Sequence, residues 1–117
     1  MTRATDEVIQ KATSQLALLR DEMRLKVHLA GMEARARWEE DLGPRLESLH
    51  KGLSSKLRGA GEARLEMQKE LDRKWTALEP QLLDLVESVL ATGRAKDGGR
   101  LGDLVKAARD AVGHATA

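Results

Sequence analysis

The sequence predicts an all-α fold: an elongated antiparallel helical hairpin or coiled coil with a short C-terminal helix, oligomerising into a helical bundle. Three observations carry that prediction. Ala, Leu, Glu, Arg and Lys supply 66 of the 117 residues, a composition of long helices rather than of sandwiches or barrels, which draw on β-branched and aromatic residues. Apolar residues recur in steps of three and four from Ile9 through Leu16, Val27, Trp38 and Leu49 to Leu57, the period of one helix face. Gly59-Ala60-Gly61 then signals a reversal, because glycine readily takes the positive φ found where helices end.

The first arm is expected over residues 6–58. Thr5 or Asp6 suits its cap, and Asp6 and Glu7 suit the positive end of the helix dipole. Leu16, Val27, Trp38 and Leu49 stand eleven apart, about 3.67 residues per turn, which favours a nearly straight seam. Gly43-Pro44 interrupts that seam, and a kink is expected there because proline cannot donate the intrahelical hydrogen bond.

After a turn at 59–61, the second arm is expected over 62–92, with Leu71, Trp75, Leu78, Leu82, Leu85 and Val89 in heptad-like steps. Pro80 falls inside it. Thr76 and Glu79 have the spacing of a capping box, so a kink or restart is expected near Pro80. Residues 93–100 carry no large apolar side chain and read as a flexible linker. A short amphipathic helix follows over 101–113, with Leu101, Leu104, Val105, Ala108 and Val112 on one side. The hairpin comprises residues 1–92.

Centring the reversal on residue 60 sets Leu49 opposite Leu71, Leu42 opposite Leu78 and Ala34 opposite Leu85 or Val86. Each Trp then falls beside the proline of the other arm, Trp38 near Pro80 and Trp75 near Pro44. Val27, Trp38, Leu42, Leu49, Leu71, Trp75, Leu78 and Leu82 are the expected hairpin core. The first arm overhangs the second by about 22 residues, roughly 33 Å at the helical rise. Either the C-terminal segment folds back on it or another chain does.

A second chain is favoured by a second apolar face. Leu18, Leu25, Leu29 and Met32 fall within about 60° of one another on a helical wheel, opposite Leu16, Leu19, Met23 and Val27. A helix apolar on both sides is expected to be sandwiched. These four residues are the expected oligomer interface, with a homodimer forming a four-helix bundle favoured.

The chemistry points away from catalysis. There is no Cys, which removes thiol catalysis and thiolate metal sites. Glu47-Ser48-Leu49-His50 has the Glu-x-x-His spacing of carboxylate-bridged di-iron bundles, with Glu66 and Glu70 within hairpin reach. It stands alone, however, and Leu49 takes the seam, so Glu47 and His50 are expected to face water. His28 and His114 have no partner set. Gly98-Gly99-Arg100-Leu101-Gly102 lacks the preceding strand of a phosphate-binding loop. No cofactor and no metal are expected.

Net charge is +1. Acids interleave the basic clusters at Arg35-Ala36-Arg37 and at Arg94, Lys96 and Arg100, so a nucleic-acid partner is disfavoured. The polar N-terminus does not read as a secretory signal, and the longest apolar run, residues 16–19, is far short of a membrane span. A cytoplasmic location is expected. The bias toward Ala, Leu, Gly and Arg resembles that encoded by GC-rich bacterial genomes.

Two functional classes lead, with a metal-binding, ferritin-like two-helix protein less favoured than either. The favoured one is a non-enzymatic structural or adaptor protein acting through self-association and helix-mediated contacts, with a further protein partner possible. The alternative rests on composition: eleven-residue periodicity, proline-punctuated amphipathic helices and few aromatics resemble helical proteins that coat lipid or granule surfaces.

Overall fold

The computed structural model describes residues 3–56, 61–93 and 98–116. All elements among them are helical, and they form four arms. The first is α1, Arg3–Ala30. The second contains α2, Met32–Arg37, a π-helical turn at Trp38–Leu42, α3, Gly43–Lys51, and a further π-helical turn at Gly52–Lys56. The third is α4, Glu62–Ala91, and the fourth is α5, Gly98–Ala115.

The expected single helix over 6–58 is corrected here. It breaks at Gly31, where φ is 111° and ψ is 178°, a region of backbone space open essentially to glycine alone. The chain reverses at that residue. Arg20 of α1 reaches Glu47 of α3 at 2.9 Å, whereas 27 residues of straight helix would hold them about 40 Å apart. The longest dimension of the molecule, 47 Å, likewise leaves no room for an unbroken helix over 6–58, which would be about 80 Å long.

The expected kink at Gly43-Pro44 takes a different form. Backbone angles stay helical through Leu42 and Gly43, and the turn before Pro44 widens instead. The Gly43 N–H donates to the Trp38 carbonyl, five residues back. Widening moves carbonyls away from the proline ring, which would otherwise collide with the one four residues earlier.

Pro80 causes no restart, since α4 runs unbroken through it. Thr76 does not cap: its Oγ1 donates back to the Asp72 carbonyl at 2.8 Å. Glu79 instead accepts from Trp75 Nε1 at 3.0 Å. Pro80 lies on the exposed side of α4, where water can satisfy the carbonyl that proline leaves without a partner.

Directions follow from the cross-arm contacts. Arg37 meets Asp84 at 2.8 Å and Arg45 meets Gln81 at 3.0 Å, so α4 runs antiparallel to the second arm. Arg109 approaches Glu79 at 4.0 Å and Gln68 Nε2 approaches the Ala115 carbonyl at 3.5 Å, so α5 runs antiparallel to α4. Helix α5 packs on both α1 and α4, more extensively on α1. It begins at Gly98 rather than 101, and so takes in residues expected to be linker. Residues 57–60 and 94–97, which hold much of the expected turn and linker, lie outside the described residues.

The arms enclose one continuous core. Val27, Trp38, Leu42, Leu49, Leu71, Trp75, Leu78 and Leu82 are all buried in it. Ile9, Leu16, Leu19 and Met23, assigned from the sequence to an uncovered overhang, are buried too, along with Leu101, Val105 and Val112 of α5. A second chain is therefore not needed to complete four helices, because this chain supplies all four.

Candidate functional site

With its inner face closed, α1 still presents a row of leucines outward. Leu18 is 38% exposed, Leu25 64% and Leu29 49%. On the opposite side of the same helix Leu16, Leu19 and Met23 are fully buried. The division follows from the helical repeat. Steps of seven and four hold Leu18, Leu25 and Leu29 on one line, about 145° around the helix from the core residues.

Met32 is 82% exposed, but it lies beyond the Gly31 break and opens α2. The wheel that aligned it with Leu25 and Leu29 assumed an unbroken helix. Met32 therefore sits next to the end of the leucine row without sharing its register.

Polar side chains border the row on both edges. Glu22 and Lys26 follow one edge, and Asp21 and His28 the other. An apolar centre with a polar rim is the usual anatomy of a protein interface. Leu83 and Leu90 of α4 are also exposed. Their seven-residue spacing is visible in the sequence, although the apolar stripe assigned to the core does not include them.

Arg20 occupies the Glu-x-x-His pair. It donates through a terminal guanidinium nitrogen to Glu47 Oε2 at 2.9 Å and through Nε to Asp21 Oδ1 at 3.2 Å. The hydrogen bond from Arg20 holds the Glu47 carboxyl below its ordinary range, and the same bond raises the Arg20 value. Both effects stabilise an ion pair and leave Glu47 a poor proton donor. Among the described residues no three His, Asp or Glu side chains gather as a metal site. His28 and His114 are exposed.

Arg37 of the first basic cluster pairs with Asp84, while Arg94 and Lys96 lie outside the described residues. Among those residues no helix is long and apolar enough to cross a membrane. Comparison of the chain with protein-family models, curated proteins and solved structures found no match.

Proposed function

We propose that this chain is a non-enzymatic structural or adaptor protein that pairs with a second copy of itself through the outer face of α1. The observation that carries the reading is the leucine row of 18, 25 and 29, exposed on a helix whose opposite face is already buried. Covering what remains exposed of each leucine would contribute roughly 0.5–2 kcal/mol.

The borders of the row support a self-complementary contact. In an antiparallel pair related by a two-fold axis, each edge of one helix meets the same edge of its copy. With the axis between residues 23 and 24, Leu18 meets the second copy's Leu29 and the two Leu25 side chains flank the axis. Glu22 then lies beside the second copy's Lys26 along one edge. Asp21 lies beside the second copy's His28 along the other. The Glu22–Lys26 pairing brings opposite charges together, and it occurs twice.

Light-scattering chromatography at micromolar concentration tests the reading. The expected mass is twice the 12.9 kDa of the chain. Leu25→Glu with Leu29→Glu should return it to the single-chain value while helicity is retained. Wild type at the single-chain mass overturns self-association. Glu22→Lys should weaken the pair and added Lys26→Glu should restore it; a dimer indifferent to both overturns only the register. The lipid-surface alternative predicts a single-chain mass together with co-sedimentation on anionic vesicles. It would also require opening a core that already encloses the inner faces of all four arms.

A further inference from the structure

The reversal between α1 and the second arm is made by one residue. Helix α1 runs to Ala30, and the Gly31 carbonyl already accepts the helical hydrogen bond from the Arg35 N–H at 3.1 Å. Only the Gly31 angles, φ 111° and ψ 178°, separate the two helices. Turning them to helical values would give the last carbonyls of α1 the N–H partners that a helix end lacks. Residues 3–56 would then form one rod.

Nothing local holds the reversal closed. No side chain caps α2, and among the described residues no atom lies within 4 Å of where a Gly31 Cβ would stand. Leu29 and Met32 beside it are exposed. What keeps α1 folded back is its inner face, where Leu16, Leu19, Met23 and Val27 enter the core and Arg20 pairs with Glu47. None of those contacts depends on which copy of the chain supplies α1.

The apolar side also continues in helical steps across the break. Met23, Val27, Ala30, Ala34 and Trp38 follow one another by four, three, four and four, and all are buried in the core or packed against it. A straight helix through Gly31 therefore keeps a single inner face. Connections between bundle helices usually take about 2–8 residues, and their irregular angles would end such a register.

We infer that Gly31 is a hinge through which two copies of this chain exchange α1. Each chain straightens there, and its α1 takes in the second copy the place it otherwise holds in its own. The core contacts of α1 are remade between chains, and Arg20 pairs with the second copy's Glu47. The two rods cross antiparallel between those pairs, where Ala30 and Ala34 give the inner faces small side chains. A connection too short to relax is the condition under which exchange competes with closure. The contact uses the inner face of α1, so it does not rest on pairing through the outer leucine row.

Glycine takes the closed angles without strain, so the closed single chain prevails in dilute solution and exchange needs concentration. Alanine changes both sides of the balance, being strained in the closed form and favoured in the rod. With two hinges in each pair, Gly31→Ala should shift the equilibrium toward the exchanged dimer by about a hundredfold or more. Diluted to a single chain the variant carries the strain, and paired it does not, so its melting temperature should rise with concentration.

An introduced cysteine pair tests the exchange, since the chain has no Cys. Arg20→Cys with Glu47→Cys, joined by a short bismaleimide, links within a chain when closed and between chains when exchanged. After refolding from urea at about 10 µM, a denaturing gel should show mainly the single-chain product, and the linked dimer should rise about tenfold or more at about 1 mM. With Gly31→Ala added, the dimer should be the main product at about 0.1 mM. Two further glycines inserted after Gly31 should abolish it, because the chain can then turn freely. Leu25→Glu with Leu29→Glu, which removes outer-face pairing, should leave it unchanged. Arg37→Cys with Asp84→Cys, both outside the exchanged helix, should link within one chain throughout. A single-chain product at about 1 mM with either residue at position 31, a dimer indifferent to the inserted glycines, or an equal dimer from the Arg37 and Asp84 pair overturns the inference. If Gly31→Ala does not fold, the unaltered hinge at the higher concentration decides alone.

Discussion

Arg20 and Glu47 are separated by 27 residues, yet the guanidinium donates to the carboxylate at 2.9 Å. The pair pins α1 against α3 well away from the Gly31 reversal, across a seam whose interior is apolar. It is partly exposed to solvent, so its value lies in fixing the register between two helices more than in net stability.

That pair makes stability depend on pH in a definite direction. The Glu47 carboxyl is lowered from its ordinary 4.5 in the folded chain, so the unfolded chain binds the proton more readily. Its contribution is present above the ordinary value and is lost as pH falls through the lowered one. Glu47→Gln should therefore be less stable than wild type near neutral pH, and the difference should shrink toward zero in acid. Urea denaturation at pH 7 and pH 3 measures it, and a constant difference would contradict the assignment.

Gly31→Ala should destabilise the fold by about 1–3 kcal/mol, because a φ of 111° with an extended ψ strains any residue with a Cβ. No neighbouring atom lies within 4 Å of such a Cβ, so the loss is one of backbone strain rather than collision. Ordinary helix propensity predicts the opposite sign, since alanine favours helix over glycine. Thermal denaturation followed by circular dichroism decides between them.

Leu101 is fully buried at the start of α5. Leu101→Ala should lower stability by about 2–5 kcal/mol, the range for emptying a leucine site in a packed core. A loosely tethered helix would give almost no change. The same denaturation measurement, paired with hydrogen exchange across α5, distinguishes the docked helix from a loose one.

The apolar period identified the residues that enter the core, and it did so on both sides of Gly31. Ala30 and Ala34 both pack against the core, because a chain that reverses must keep its apolar side inward before and after the turn. That continuity is what hid the break. Gly43-Pro44 was the more conspicuous interruption, but one widened turn absorbed it, while the isolated Gly31 reversed the chain. The leucine row at 18, 25 and 29 was legible as a second apolar face. The Arg20–Glu47 pair was not: 27 residues of separation mean nothing until the reversal folds the second arm alongside α1.

By itself the sequence determined that the chain is helical and which side of each helix is apolar, since these follow from composition and a repeat near 3.6 residues. The tertiary structure decided where the chain turns and how many helices it contributes. Those depend on one backbone angle at Gly31 and on whether α5 docks, and neither leaves a mark on the period. An apparent overhang that called for a second chain became the interior of a four-helix bundle made by one. What remains open to a partner is the outer face of α1, which no further folding of this chain covers among its described residues.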